Sequence, residues 1–231
     1  MKIRVPHGNF QVTLFYSGGD KHTEGVGFAL DEKVTDCVLA FHPISSRLAV
    51  LTLAGTVRTR IFSVYAPTEI SPDRAKDDFY SNLQAAIDLV PKIDVILLAG
   101  DFNAHVARNR DGWKEVLGRY GIGEENDNGV RLLTFAAANG LVIGNSIFQH
   151  KQKHQLTWRA PNGNESVLLD YVLVNRRFRT SIRDVRVKGG ADCGSDHHLV
   201  CARMRLRLQK GKGSTTSSIR RNWSILAEPT S

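Results

Sequence analysis

Two polar side chains, Asp101 and Asn103, follow a run of apolar residues from 95 to 99 and a glycine. The run has the length and composition of a buried strand. Residues two apart point to the same side of an extended chain, so the carboxylate and the amide can face one target together. A carboxylate can take a proton from water, and an amide can hold an anionic oxygen without adding charge.

Acids and a histidine recur at similar places later in the chain. Asp170 precedes the apolar run 171–174, and Asp196 and His197 lie in a Ser-Asp-His-His run directly before another apolar strand. Three acids, an amide and an imidazole at the ends of separate strands are the components of metal-assisted phosphodiester hydrolysis. A single Asp after a strand is more often a turn former or a helix cap, so the prediction depends on the ordered set.

The elements that must position these side chains are strands first, and then strands that alternate with helices. Segments rich in Val, Leu, Ile or Phe predict strands at 25–30, 37–41, 47–53, 57–65, 94–99 and 141–144. Helices are expected from Ser71 to the residue before Pro91 and from Asn128 to Gly140, where apolar residues recur at helical spacing between start and stop signals. This order predicts an α/β (α+β) protein with a mixed sheet.

The last predicted strand has a strict period of two. Apolar residues at 200, 202, 204, 206 and 208 alternate with Arg203, Arg205 and Arg207, which indicates one buried face and one solvated face. A run rich in Gly, Ser and Thr follows and is typical of a flexible linker. We therefore predict one domain over residues 1–209, with 210–231 as a linker and the start of a further segment.

The composition is that of a globular protein with a basic surface. The chain has 231 residues, 42% of them hydrophobic, and a formal net charge of +8, which favours a polyanionic partner. No apolar stretch approaches the roughly 20 residues that span a bilayer, so no membrane partner is expected. The three cysteines are irregularly spaced and no signal peptide is evident, so the expectation is an intracellular protein, nuclear or cytoplasmic.

Short motifs in a fixed order identify a superfamily. They are Tyr65-Ala66-Pro67, Gly100-Asp101-Phe102-Asn103, Thr157-Trp158, Asp170-Tyr171 and Ser195-Asp196-His197. The ordered set resembles the endonuclease/exonuclease/phosphatase superfamily, whose fold is similar to that of deoxyribonuclease I. The resemblance implies a four-layer α/β/β/α sandwich of two mixed sheets.

Further segments are similar to one branch of that superfamily. Residues 25–28, 41–47, 175–177 and 190–198 resemble the endonuclease domain of RTE-type non-LTR retrotransposons, a domain that craniofacial development protein 2-like proteins also carry. The resemblance implies DNA as the partner, Mg²⁺ as the cofactor with Mn²⁺ as the alternative, and no small-molecule cofactor. In a full-length element a fused reverse transcriptase would follow the linker.

The resemblance also implies roles for the polar residues. Asp101 would activate or orient the attacking water, and Asn103 would position that water or an anionic oxygen. His197 would donate to a non-bridging phosphate oxygen, with Asp170 fixing its tautomer and keeping it protonated. Asp196 would be the Mg²⁺ ligand.

Two aromatic residues complete the set that the resemblance implies. Tyr65 would contribute its hydroxyl near the scissile phosphate as a catalytic residue. Trp158 would pack at the DNA-facing end of the site and bind substrate. From its residue type alone, Trp158 is expected in the core.

The N-terminal region departs from the superfamily pattern. Relatives begin with a strand, a helix and a second strand that ends in Glu-Thr, and that Glu is a principal metal ligand. Here about two dozen residues without such a unit precede Gly25. Glu24 lies in a polar loop and is a poor substitute. We therefore expect an N-terminally truncated domain with impaired activity.

Other function classes stay open. One is a non-catalytic retrotransposon remnant that at most binds nucleic acid. Another is a phosphatase of the same superfamily, which is less favoured because Leu199 stands where those relatives usually carry Pro. The pairs Cys193–His197 and His150–His154 have the spacing of zinc ligands, but neither has a convincing second pair.

Overall fold

The structure, a computed structural model, describes residues 2–7, 10–18, 24–106, 108–190 and 194–210. The chain forms two compact units. The first unit comprises Met1–Tyr65, Asp77–Leu97 and Leu206–Ser231, and the second comprises Ala66–Lys76 and Leu98–Arg205. In the described part of the chain, no helix is long and apolar enough to cross a membrane.

The first unit begins with three antiparallel strands, β1 (Lys2–His7), β2 (Phe10–Gly18) and β3 (Gly25–Asp31). The central strand β2 pairs with both neighbours. Phe15 on β2 packs in a buried cluster with Leu51 and Leu53. The sequence analysis expected no strand–helix–strand unit before Gly25, and the described residues there instead form the strands β1 and β2, which it did not predict. Alternating side chains bury one face of β2, and this burial stabilises a meander in place of a strand–helix–strand unit.

The remainder of the first unit continues the predicted run of strands. Its elements are α1 (Glu32–Thr35), β4 (Val38–Ser45), β5 (Leu48–Leu53) and β6 (Thr59–Tyr65), and it also holds most of α2 (Asp73–Asp88) and the start of β7 (Val95–Asp101). The strands are ordered β4-β5-β6-β7 in one sheet. All six residues of β5 are buried, which fits a continuous apolar run at the centre of a sheet. The predicted strands and the predicted helix after Ser71 are therefore confirmed, although the observed ends differ from the predicted ones by a few residues.

The second unit holds the end of β7 and the elements that follow it. These are α3 (Asp127–Ala138), β8 (Leu141–Ile143), the short hairpin β9 (Trp158–Arg159) and β10 (Ser166–Val167), β11 (Asp170–Asn175), β12 (Ile182–Lys188) and β13 (Leu199–Met204). The sheet order here is β7-β11-β8, and β12 pairs with β13. Asn126 caps α3 by accepting the N–H of Gly129, so this helix begins slightly earlier than predicted.

Strand β13 ends at Met204, so the prediction of one regular strand as far as residue 208 was wrong. Residues from Leu206 onward belong to the first unit, where Leu208 forms an isolated bridge with Gly55. The chain leaves the β12–β13 pair at this point. The period-two pattern therefore covers strand β13 and a separate segment after it, and not one continuous strand. Ala202 is exposed, contrary to the predicted buried face. The predicted linker lies outside the described residues from 211 onward.

Candidate active site

Asp101 and Asn103 are joined by a turn. Asp101 is the last residue of β7, and Asn103 has a backbone φ of 47°, in the left-handed region. The Asn103 N–H donates to Asp101 Oδ1 at 2.8 Å, and Asn103 Nδ2 donates to Ala66 O at 2.9 Å. The expectation that both side chains project from one extended segment was therefore wrong, because Asn tolerates this φ and closes an Asx-type turn on the aspartate.

His197 lies between two carboxylates. Its Nδ1 donates to Asp170 Oδ2 at 2.9 Å, and its Nε2 is 4.0 Å from Asp101 Oδ2. The bond to Asp170 fixes which ring nitrogen carries the proton on that side. The structure thus brings Asp101, Asp170 and His197 together, although Asp101 and Asp170 lie on different strands.

Thr157 and Asn145 hold the start of β11, and neither of them was assigned a role from the sequence. Thr157 is fully buried, and its Oγ1 accepts the N–H groups of Leu169 and Asp170 at 2.9 and 3.1 Å. Asn145 Nδ2 donates to Asp170 O at 3.0 Å. The Thr157 carbonyl also accepts the His198 N–H at 2.6 Å, so one residue anchors both segments that carry the Asp170–His197 pair. The signal for Thr157 was its place in the Thr-Trp motif, whereas Asn145 had none.

Asp196 is exposed and is oriented by Trp158. The indole Nε1 donates to Asp196 Oδ2 at 2.8 Å, and the Arg159 N–H donates to Asp196 O at 3.0 Å. Trp158 is half-buried, and its backbone forms a β-bridge with His197. The residue-type expectation of a core tryptophan was therefore wrong, because its polar N–H has a partner at the surface.

The electrostatics of the site oppose ionisation of Asp101 and favour the charged form of His197. Burial raises the pKa of Asp101 to about 6, and the negative charges of Asp170 and Asp196 add to this, against the opposing Asn103 N–H and His197. The hydrogen bond to Asp170 raises the pKa of His197 above its ordinary value, against the effect of burial. The hydrogen bond from Trp158 lowers the pKa of Asp196. These are the directions required of a base at Asp101 and a cation at His197 near neutral pH.

Tyr65 belongs to the first unit and is the last residue of β6. The Arg47 guanidinium lies 4.8 Å from the centroid of the Tyr65 ring, and Arg47 Nη1 donates to Tyr65 O at 3.2 Å. Glu24 Oε1 accepts from Arg47 Nη2 at 2.6 Å, and Ser46 Oγ donates to Glu24 Oε2 at 2.6 Å. Glu24 is therefore the ion-pair partner of the cation that covers Tyr65.

The Asp196 carboxylate fits Mg²⁺ in the mode of binding that substrate completes. It supplies hard oxygen donors, and Mg²⁺ is usually bound through one or two carboxylates with water and substrate phosphate. The described residues contain no group of three or more His, Cys, Asp or Glu side chains arranged to hold a metal ion. This donor set does not form a dedicated all-protein cage.

The histidines considered for zinc have other partners. His150 Nε2 is 2.7 Å from Asp184 Oδ1, and His154 Nδ1 is 3.3 Å from Val187 O. Cys193 lies outside the described residues.

Comparison with solved structures shows the fold. The endonuclease domain of TRAS1, a telomere-specific non-LTR retrotransposon, aligns with a TM-score of 0.59 at 15% identity over 84% of this chain and 80% of that chain. The catalytic domain of Xenopus laevis APE2 gives a TM-score of 0.65 at 15% identity, over 89% of this chain and 79% of that chain. The Neisseria 3′ phosphatase NExo bound to product DNA hairpin gives 0.59 at 20% identity, over 83% and 79%. These similarities confirm the predicted α/β sandwich class.

Sequence comparison shows the family. The chain is 32% identical over 198 residues to proteins called craniofacial development protein 2 from Tragulus javanicus and Bos taurus, which covers 85% of this chain. It spans only about a third of the length of these relatives, 34% and 33%. Residues 59–201, more than half of the chain, match the model of the endonuclease-reverse transcriptase family. The chain therefore belongs to the endonuclease-reverse transcriptase family, within the endonuclease/exonuclease/phosphatase superfamily of nucleases and phosphatases.

Proposed function

We propose that the chain is a metal-dependent DNA endonuclease domain of retrotransposon origin, which hydrolyses phosphodiester bonds. The observation that carries the proposal is the arrangement of His197 between Asp170, at 2.9 Å, and Asp101, at 4.0 Å. The family match supports nuclease or phosphatase chemistry. The shared fold with a retrotransposon endonuclease and with a DNA-bound relative supports DNA as the substrate class.

In this proposal Asp101 takes a proton from the attacking water. Its raised pKa, about 6, makes its carboxylate a stronger base than an ordinary Asp while still ionised near neutral pH. Asn103 positions the water or a phosphate oxygen. His197 donates from Nε2 to a non-bridging phosphate oxygen as negative charge builds there, and Asp170 keeps the ring charged and oriented.

Asp196 would hold Mg²⁺, with Mn²⁺ as the alternative. The ion supplies positive charge beside the phosphate when it is bound. The Trp158 indole orients Asp196 Oδ2 and lowers the pKa of this carboxyl, so Asp196 is ready as an anionic ligand at neutral pH. Because the described residues contain no group of three or more His, Cys, Asp or Glu side chains arranged to hold a metal ion, we propose weak Mg²⁺ binding and impaired activity for residues 1–231 acting alone.

The test is nicking of supercoiled plasmid in Mg²⁺ by the parent chain, Asp101→Asn and His197→Ala. Each variant should lose activity by roughly a hundredfold or more, since each removes a group that acts in the transition state. The double variant should lose little more than either single one, because the two groups act as a unit. Lys92→Ala, an exposed change in the first unit, serves as the control with activity near that of the parent.

Three results would count against the proposal, and two of them favour a named alternative. DNA binding without any Mg²⁺-dependent nicking by the parent would favour a non-catalytic, nucleic-acid-binding remnant. Nicking that persists at near the parent rate in Asp101→Asn or His197→Ala would show that these roles are wrong. Release of phosphate from a small phosphomonoester, with plasmid left intact, would favour a phosphatase.

A further inference from the structure

The left-handed backbone at Asn103 is held by a buried side chain from another element. Asn128 lies in the first turn of α3 and is only 2% exposed. Its Nδ2 donates to Asn103 O at 2.8 Å and to Pro67 O at 3.1 Å. A side-chain amide has two N–H donors, so these two carbonyls use both of them. Asn103 is the one described non-glycine residue with positive φ, and such a conformation persists only where neighbours fix it.

The start of α3 is itself fixed against the segment that follows Asn103. Asn126 Oδ1 accepts the N–H groups of His105 and Gly129, at 2.9 and 2.8 Å. The Glu69 carboxylate accepts the N–H groups of Asp127 and Asn128, at 3.3 and 3.1 Å. A Cβ on Gly129 would overlap the carbonyl oxygen of His105, so helix and loop backbone are in direct contact. The start of α3, which carries Asn128, is therefore held firmly against the loop that follows Asn103.

The other hydrogen bonds of Asn103 connect the start of α3 to the carboxylate of Asp101, the proposed catalytic residue. Asn103 N donates to Asp101 Oδ1 at 2.8 Å, and Asn103 Nδ2 donates to Ala66 O at 2.9 Å. The N–H and the carbonyl of Asn103 belong to the peptides on either side of its Cα, so a change of φ or ψ at Asn103 would reorient the N–H that binds Asp101 Oδ1 relative to the carbonyl that Asn128 holds. The amide of Asn128 is thus linked through Asn103 to the Asp101 carboxylate, while its own N–H groups bind protein carbonyls.

We propose that Asn128 is a positioning residue, which holds Asn103 and Asp101 in the geometry for water attack. The assignment rests on the proposed nuclease function. Loss of the two hydrogen bonds that Asn128 donates should lower kcat and leave KM for DNA nearly unchanged, because the Asn128 side chain contacts protein carbonyls and supplies no substrate contact. The expected loss in kcat is about tenfold to a hundredfold, the usual cost of misplacing a catalytic group.

The experiment compares Asn128→Ala with Asn139→Ala in the 231-residue chain. Asn139 lies at the other end of α3, where its Nδ2 donates to Phe135 O at 2.9 Å, so its loss weakens the same helix without touching Asn103. Two readouts are used: kcat and KM for Mg²⁺-dependent nicking, and the amide hydrogen-exchange rate of Asn103 measured by NMR. We expect Asn128→Ala to lower kcat and to speed exchange at Asn103, and Asn139→Ala to do neither.

A second variant covers the case in which Asn128→Ala fails to fold. Asn128→Ser keeps an uncharged hydrogen-bonding side chain at this buried position and leaves less empty space than alanine. A hydroxyl has one O–H donor, so it cannot bind both Asn103 O and Pro67 O, and kcat should fall as in the alanine variant.

The two readouts separate this inference from the proposed function. If the parent nicks DNA and both Asn128 variants match Asn139→Ala in kcat and in Asn103 exchange, the positioning role is overturned. If the parent does not nick at all, the proposed function fails. The exchange rate of the Asn103 amide then decides by itself whether Asn128 holds the Asn103 backbone. Faster exchange at Asn103 in the Asn128 variants would then support the positioning role of Asn128, and an unchanged rate would overturn that role.

Discussion

Asp101 is the residue at which stability and the proposed activity conflict most directly. Its carboxylate is largely buried beside two other acids, and these surroundings raise its pKa from 3.8 to about 6. A group whose folded-state pKa lies above the unfolded value stabilises the fold at low pH and loses that contribution as pH rises. The shift corresponds to on the order of 3 kcal/mol lost between about pH 4 and pH 6. The fold is therefore weakened by the charge that the chemistry needs.

Asp101→Asn should stabilise the protein above pH 6 while it abolishes nicking. The asparagine keeps an oxygen for the Asn103 N–H and removes the buried charge, so its free energy of unfolding at pH 7 should exceed that of the parent by roughly 2–3 kcal/mol. The gain should vanish near pH 4, where the parent Asp is protonated. Urea denaturation in EDTA at pH 4, 5, 7 and 8 measures this difference.

Asp111→Asn provides the matched control, since Asp111 is exposed in a loop. Its effect on the free energy of unfolding should be small and similar at each pH. Equal stability of Asp101→Asn and the parent at pH 7 would mean that the carboxylate is not penalised by its surroundings.

At the scale of elements, local patterns located the strands that carry the site but not the contacts that shape it. Strand β7 follows from its apolar run, and the helical spacing between Ser71 and Pro91 gave α2. The pairing of β1 and β2 is local, since His7 pairs with Phe10, but the burial of β2 depends on Leu51 and Leu53, which are distant in sequence. The charged strand β12 is held by its pairing with β13, which a single segment does not reveal. The bond from Asn128 to Asn103 spans 25 residues, so no local motif indicated it.

Gly129 shows how closely α3 must approach the site. Gly129→Ala should destabilise the second unit by about 1–3 kcal/mol or more, because the new methyl group meets the His105 carbonyl and forces the helix away from the loop. Nicking should fall with it, since the same displacement moves Asn128. Val130→Ala, at the next and exposed position of the same helix, should change the free energy of unfolding by little. Urea denaturation of the two variants decides the matter: similar stabilities would contradict the close packing.

At the scale of the whole molecule, charge is the main property that bears on partners. The chain has 31 Lys and Arg residues against 23 Asp and Glu, which gives a net charge of +8. Such a surface attracts polyanions without reading their sequence. The Arg203 side chain on β13 is exposed, as the period-two pattern indicated for that face.

DNA binding should therefore be tolerant of sequence and steeply dependent on salt. Each phosphate that a Lys or Arg neutralises releases a counterion, so affinity falls linearly with salt on logarithmic axes. Gel-shift titrations of unrelated duplexes between about 50 and 200 mM salt should show a drop of at least tenfold. An affinity that is independent of salt would rule out this mode of binding. Arg203→Ala should make the slope shallower only if that face contacts DNA.

Because Trp158 is hydrogen-bonded to Asp196, the fluorescence of its indole should report on what binds to that carboxylate. Indole emission responds to the charge and hydrogen bonding around the ring, and this indole donates directly to the proposed Mg²⁺ ligand at 2.8 Å. Titration with Mg²⁺ should therefore change the fluorescence of the parent and of Trp113→Phe, and should leave Trp158→Phe silent. An identical response in Trp158→Phe would show that the ion binds elsewhere. Cation binding can thus be followed by fluorescence in the absence of DNA, and also in variants that have lost nicking.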